Sequence, residues 1–383
     1  MKVLMISLDN SISDRRSDSV SRMKKYAALV AELHILVFGG QGGHWSEGNL
    51  FIYSVPTNSK IAALGAAKIA AFLAARKIGA GIVKKNQINV ITSQDPFFTG
   101  LLGLMLKKKN AGLNVELHGD YFSSKFWHDR SPWWPFRLAL GKFVLRRADG
   151  IRAVSERIRK NLIDKQKIPA EKITKIPVYA AAEVKITESA VDLHSKFHTP
   201  WIIMCVGNLR LEKNYIAAAR AMLKILESCP GAHLIIIGSG PEERRLRGYV
   251  GRHGLEESVH FFGQMSHDKM IAHLRQADVC LIPSLTESWS RVAVEAAALG
   301  VPVAMSDVGL AGEVIVGGVS GEVVGAADPQ KLAEAVAGLL RDGNLRTRYA
   351  AAAKSAIAKL PTEAETLNLI KESWEKVGNT RLN

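Results

Sequence analysis

Residues 201–240 read WIIMCVGNLRLEKNYIAAARAMLKILESCPGAHLIIIGSG. An unbroken apolar run of strand length comes first, then a short polar loop, a helix over 214–227, and a second apolar run that ends in glycines. Runs that stay apolar without alternating predict strands buried on both faces, as in a parallel sheet. A helix between two such strands makes a right-handed crossover unit. The rhythm continues downstream with a helix over 241–253, VHFFG at 259–263, a helix over 267–276, DVCLIPS at 278–284, a helix over 290–299 and VPVAMS at 301–306. Upstream stand VLMISL at 3–8, a polar loop to about 18, a helix over 19–31, ELHILVF ending at Phe38, INVITS at 88–93, a helix near 97–109, LNVELHG at 113–119, a basic helix near 135–147 and GIRAVS at 150–155.

Residues 181–199 lose this rhythm and read as a polar linker. Near the end, Pro361 breaks an alanine-rich helix, and a last helix over about 362–377 carries Leu367, Ile370 and Trp374 on one apolar face. The expected architecture is α/β: two doubly wound Rossmann-like domains, an N-terminal one over 1–190 and a second over 191–360. A C-terminal helix within 361–383 is expected to pack on the first. A ligand then belongs between the domains, at the C-terminal ends of the strands.

The 383 residues are 47% apolar and 23% charged, which excludes disorder as the dominant state. The 51 Lys+Arg against 36 Asp+Glu leave a net charge of +15. It is unevenly spread: residues 1–180 hold 29 basic and 13 acidic side chains (+16), residues 181–383 hold 22 and 23 (−1). Cys205, Cys229 and Cys280 lie in or near apolar runs with no C-x-x-C spacing, which suits a reducing compartment and neither a disulfide framework nor a zinc site. The apolar part of MKVLMISLDNS is too short for a signal peptide. Lys68, Arg76 and Lys77 interrupt the most hydrophobic helix-like region, so no membrane span is expected, and lying on a membrane stays open.

The stretch ESWSRVAVE places Glu287 on a loop after a strand and Glu295 inside the helix that follows. The helix start between them offers unpaired backbone N–H groups to an anion. Taken alone, both glutamates also fit an ordinary solvated helix start. Their surroundings decide otherwise. Gly207-Asn-Leu-Arg-Leu-Glu-Lys213 sets Arg210 and Lys213 at the same sheet edge, Gly238 and Gly240 follow the next strand, and VHFFG follows that. Glycines there mark a sharp turn or a close approach to ligand. Cations for phosphate with carboxylates for hydroxyls suit a nucleoside diphosphate that carries a sugar.

In these segments the chain resembles the retaining glycosyltransferases of family 4, which have the GT-B fold. The resemblance rests on Glu287 to Glu295 with EAAALG, the segment 207–213, GSGP at 238–241, VHFFG at 259–263, ADVCLIPS at 277–284, LHGD at 117–120, ADGIRAVSE at 148–156 and SWEKV at 373–377. It implies that Glu295 holds the ribose, Glu287 holds hydroxyls of the transferred sugar and Lys213 neutralises the leaving diphosphate. It also implies a donor site completed by Gly207, Gly238, Gly240, Phe261, Gly263, Ser290, Arg291 and Val292, and a His118 that contacts sugar near the reacting centre. Without the resemblance, His118 reads equally as a strand-end cap. Asn208 stands where the family often has arginine, and either Arg210 or Lys213 alone takes the phosphate. The usual glycine-rich loop after Glu287 is replaced by Ser288-Trp289-Ser290. Retention without an enzyme nucleophile is likewise an implication of the resemblance.

On the acceptor or phosphate side we expect Arg15, Arg16, Arg22, Asp95 and Asp120; the three arginines fit a solvated loop equally well. Ser155 and Glu156 fit a helix cap as well as a ligand. No D-x-D pair and no His/Cys cluster stands at a strand end, so neither metal nor cofactor is expected.

The basic half carries aromatics among its cations: Phe72 between Lys68 and Arg76, KKK at 107–109, then Phe126, Trp127, Trp133, Trp134 and Phe136 among Lys125, Arg130, Arg137, Lys142, Arg146 and Arg147. Rings beside long cations suit an anionic bilayer interface, though buried rings behind a solvated basic face fit too. Nucleic acid is not expected, since no RNP, KH or helix-turn-helix pattern accompanies the charge. The expected protein is a cytoplasmic, peripheral membrane enzyme of the inner face. It would move a hexose or N-acetylhexosamine from a nucleotide-sugar donor to a lipid-linked or glycan acceptor. A nucleotide-sugar epimerase of the same fold and a non-catalytic nucleotide-sugar-binding protein are the competing readings.

Overall fold

Val3–Ser7, Leu33–Phe38, Val90–Ser93 and Gly112–Leu117 are buried at every position. Unbroken apolar runs come to lie this way in a parallel sheet covered on both faces. The computed structural model describes residues 1–38, 42–56, 65–129, 131–180, 192–325 and 328–379, with the side chains of 65–68 left out. The chain divides into two compact units, Met1–Pro177 together with Glu363–Asn383, and Val178–Thr362. That division falls at Pro177, ahead of the position 190 read from the fading rhythm. Of the expected linker, 181–191 lies outside the described residues, and Leu193–Phe197 is a short helix started by the Asp192 side chain.

The first unit's sheet contains β1 (Lys2–Ser7), β2 (Glu32–Phe38), β3 (Gly43–Glu47), β4 (Leu50–Val55), β5 (Val90–Ser93), β6 (Gly112–Leu117), β7 (Gly150–Ala153) and β8 (Ile173–Lys175). Their order is β3-β4-β2-β1-β5-β6-β7-β8. All neighbours run parallel except β3, which forms an unexpected antiparallel hairpin with β4 at the edge. The second unit's sheet contains β9 (Ile202–Val206), β10 (His233–Ile237), β11 (Val259–Gly263), β12 (Val279–Ile282), β13 (Val303–Ser306) and β14 (Glu322–Val324), all parallel in the order β11-β10-β9-β12-β13-β14. In each sheet the winding reverses beside the first strand, between β1 and β5 and between β9 and β12. Loops splay apart at such a reversal and open a crevice at the strand ends.

The last helix, Glu363–Asn379, belongs to the first unit. Ile370, Trp374 and Val377 are all but closed to solvent within that unit's core, beside Val3, Met5 and Ala27. The expected face therefore holds for Ile370 and Trp374, while Leu367 is only half-buried. The helix comes so near the sheet that a Cβ at Gly112 or Gly150 would lie 2.4 Å from Val377. Cys205, Cys229 and Cys280 are buried free thiols.

Candidate active site

At the C-terminal ends of β9 and β12 the second unit has a pocket of about 400 Å³, lined among others by Gly207, Asn208, Lys213, Ser284, Glu287 and the loop 288–292. Lys213 stands at the end of a single 3-10 turn, Leu211–Lys213, and its Nζ reaches Glu287 Oε1 at 2.6 Å. Ser284 Oγ donates to the same oxygen at 2.9 Å. Glu287 thus has Oε1 doubly held, and among the described residues Oε2 has no hydrogen-bond partner. Sequence reasoning missed Ser284, although it closes the quoted segment ADVCLIPS.

Ser290 precedes the helix Arg291–Ala298 at φ 86°, in the left-handed region, and its side chain makes no capping hydrogen bond to that helix. The backbone N–H groups of the first turn consequently keep their donors for an anion. Glu295 lies one turn in and is 4% exposed. His267 Nε2 at 3.1 Å and Arg291 Nη2 at 3.4 Å both address its Oε1. His267, the first residue of the helix His267–Leu274, is the second functional neighbour that sequence reasoning missed.

The glycines fall where expected, for a different reason. A Cβ at Gly238 would lie 2.0 Å from the Gly207 carbonyl oxygen, and one at Gly240 would lie 2.5 Å from that of Leu209. The loop after β9 is pressed on the loop after β10, and Leu209 N–H donates to Ser239 O at 2.9 Å. Backbone meets backbone here, which leaves no room for side chains. Arg210 does not join Lys213: it is exposed, 3.8 Å from Glu212 and absent from the pocket lining. Phe261 is half-buried beneath the Arg247 guanidinium, 4.2 Å from its ring centroid, and Gly263 accepts from the Gly238 N–H at 2.8 Å. Neither lines the pocket, while Asn208, Arg291 and Val292 do.

In the first unit His118 follows β6, one-third exposed, with Nε2 3.1 Å from Glu116 Oε2. Glu116 is buried, and burial alone would raise its pKa. The Arg152 guanidinium, His118 and Thr92 outweigh that and hold it at about 2. The Asp95 carboxylate is engaged locally: it accepts from the Phe97 and Thr99 N–H groups and from Thr99 Oγ1, and so builds the turn into the helix Phe98–Leu106. Asp120 accepts from Ser123 within its own loop. Ser155 Oγ accepts from Ile158 N–H and Glu156 pairs with Arg159, so both serve the helix Glu156–Asp164. Arg15 lies 5.0 Å from the Trp45 ring centroid, Arg22 is 3.6 Å from Asp9, and Arg16 is exposed.

The aromatic set splits in two. Trp134, Phe122 and Phe97 are buried, with Arg137 over the Phe97 and Trp134 rings. Trp133, Phe136 and Phe143 are 73%, 68% and 43% exposed. Phe72 and Arg76 stand one turn apart on the helix Gly65–Asn86, but Phe72 is half-buried and packs edge-on against Phe98 while Arg76 is exposed; the Lys68 side chain and Arg130 lie outside the described residues.

Two family models match the chain: glycosyl transferases group 1 over residues 188–356, and glycosyltransferase family 4 over 26–178. A glycogen synthase of Mycobacterium tuberculosis is 32% identical over 158 residues, 41% of this chain and 38% of that protein. A phosphatidyl-myo-inositol mannosyltransferase of Mycobacterium leprae is 37% identical over 153 residues, 38% of this chain and 40% of that protein. The matches thus span well under half the length of these curated relatives. Among solved structures, a sucrose-phosphate synthase from Thermosynechococcus elongatus superposes with a TM-score of 0.77 at 20% identity, covering 99% of this chain and 100% of that one. A trehalose-6-phosphate structure from E. coli bound with UDP-2-fluoro glucose gives 0.75 at 13%, covering 98% and 99%. The strand order of both sheets, the pocket at the C-terminal edge of the second and these likenesses agree: the chain belongs to glycosyltransferase family 4, the group 1 glycosyl transferases, and has the GT-B fold.

Proposed function

We propose that the protein is a retaining glycosyltransferase that moves a hexose or N-acetylhexosamine from a nucleoside-diphosphate sugar to a lipid-linked or polysaccharide acceptor, with no metal. The observation that carries this reading is the pocket in which Lys213 and Glu287 meet at 2.6 Å beside an uncapped helix start. Lys213 and the first-turn N–H groups of Arg291 and Val292 receive the diphosphate. Glu287 accepts from sugar hydroxyls through Oε2, and Glu295 accepts from the ribose. As the bond from the anomeric carbon to the diphosphate oxygen breaks, negative charge grows on that oxygen, where Lys213 already stands. The acceptor hydroxyl oxygen bonds to the anomeric carbon on the same face, and its proton passes to the departing phosphate. Contact of His118 with the sugar completes the reading.

A thermal-shift panel of UDP-, GDP- and ADP-sugars tests it first, since a ligand at about 100 times its Kd stabilises the native state by about 2.7 kcal/mol. UDP heads the panel because similar folds were solved with UDP and UDP-sugars. Glu295→Ala should weaken UDP binding roughly 10- to 100-fold through lost charge-assisted hydrogen bonds. Equal donor turnover by this variant and the wild type would sink the site assignment. Epimerised sugar released without acceptor, or tight binding without turnover, would replace the transfer reading.

The same proposal places the enzyme peripherally on the anionic inner face of the cytoplasmic membrane. Among the described residues no helix is long and apolar enough to cross a bilayer. Support comes from exposed Trp133, Phe136 and Phe143 on or beside a helix that also carries Arg137, Arg146 and Arg147. Wild type should float with anionic vesicles at low salt, and Trp133→Ser/Phe136→Ser should not. Flotation unaffected by lipid charge or by these substitutions would remove the membrane from the reading.

A further inference from the structure

Glu116 and Arg152 are register partners on β6 and β7, and each is closed to solvent, 2% and 3% exposed. A buried ion pair commonly costs about as much in desolvation as it returns, so its place in a sheet core asks for a purpose other than stability. The bonds around it supply one. Glu116 Oε1 accepts from Thr92 Oγ1 at 2.9 Å. Oε2 is shared by Arg152 Nη1 at 2.9 Å and His118 Nε2 at 3.1 Å. Arg152 also donates Nε–H to the Ile176 carbonyl and Nη2–H to the Pro177 carbonyl, each at 3.2 Å, where the chain leaves the first unit, and it bonds to the Tyr26 side chain. Both ends of the pair are therefore fixed, and on the Glu116 side the partner with solvent access among the described residues is His118, one-third exposed.

Glu116, held at about 2, is ionised at any working pH, and an ionised carboxylate only accepts. His118 must then carry hydrogen on Nε2, and in the neutral ring Nδ1 is left as an acceptor. Among the described residues nothing bonds to that Nδ1.

We infer that Glu116 is a positioning residue that fixes His118 as the Nε2–H tautomer, so that Nδ1 accepts a hydrogen bond from a substrate hydroxyl, with Arg152 anchoring Glu116 to the Ile176 and Pro177 carbonyls. This rests on His118 facing substrate, as proposed above, and adds the chemistry of the group it meets. That group is a hydroxyl that donates. An ionised phosphate oxygen would set lone pair against lone pair.

Imidazole nitrogen-15 resonances of histidine-labelled wild type read the tautomer directly, His118 being identified by the signals lost in His118→Gln. At about pH 8, where an ordinary histidine is neutral, a protonated Nε2 and a bare Nδ1 are expected. A protonated Nδ1 overturns the proposal whatever the activity. Turnover supplies the second measurement. His118→Ala and Glu116→Gln should each lower kcat by roughly 10- to 100-fold, and the double variant should fall no further than His118→Ala alone, because the two act as one unit. UDP affinity should be unchanged in all three. Glu116→Asp keeps a carboxylate for Arg152 while withdrawing it from His118; it should fold where the glutamine variant does not, and lose turnover alike. Additive losses, or full turnover in both Glu116 variants with His118→Ala impaired, overturn the positioning role alone. Full turnover in His118→Ala overturns it together with the role of His118. No turnover by wild type defeats the transfer reading, and the resonances still decide the tautomer.

Discussion

Ser290 shows what a single position reveals and conceals. The substitution of the family's glycine-rich loop by Ser288-Trp289-Ser290 is visible in the sequence, and its cost becomes visible only with φ at 86°. A side chain in the left-handed region is strained where glycine rests freely. Ser290→Gly should therefore raise the free energy of unfolding by about 0.5–1 kcal/mol in denaturant titration, with UDP binding retained. A loss of stability would show that the serine side chain makes up for its backbone. Glu295 does not line the pocket of Lys213 and Glu287, but that those two emerge together was legible, because strand ends and spacing fix where such residues come out. His267 was not, since its partner Glu295 is distant in sequence and no periodicity joins them. Arg210 misled for the opposite reason: a 3-10 turn rotates neighbours on a short loop apart, and Glu212 captured it.

Parallel strands announce themselves as unbroken apolar runs, and most of those quoted became strands of the two sheets. The hairpin of β3 and β4 escaped because Gly43–Glu47 is largely exposed and polar, without the run that flags a covered strand. Helix faces were harder still. The helix Trp134–Arg147 is apolar on several sides, so hydrophobicity alone could not tell that Trp134 turns inward and Phe136 outward. Two of the nearby cations are spent locally: Lys107 donates to the Arg147 carbonyl and Lys172 to those of Arg146 and Ala148, at the helix end where cations are favoured. In the helix Glu363–Asn379 the amphipathic reading works because one face alone is apolar. Trp374→Ala there should cost about 3–5 kcal/mol, against a far smaller loss for half-buried Leu367→Ala, as read from thermal unfolding. Comparable losses would contradict the packing described.

Across the whole molecule, the +16 carried by residues 1–180 exceeds what one diphosphate requires, since the second unit meets that need at a net charge near zero. The surplus is carried by the unit whose exposed rings stand beside arginines. That unit is also discontinuous, residues 1–177 being completed by 363–383. Deleting residues 363–383 should thus unfold the N-terminal unit while the C-terminal one still binds UDP, as proteolysis and calorimetry would report; loss of both at once would show that they melt as one. The same discontinuity orders events on the ribosome. Translation delivers the N-terminal strands first, yet their sheet keeps an open face at Gly112 and Gly150 until Trp374 and Val377 emerge, by which time the contiguous second unit has its whole sequence. The unit whose strands are made early is finished late, and throughout that wait its sheet has apolar surface still to cover.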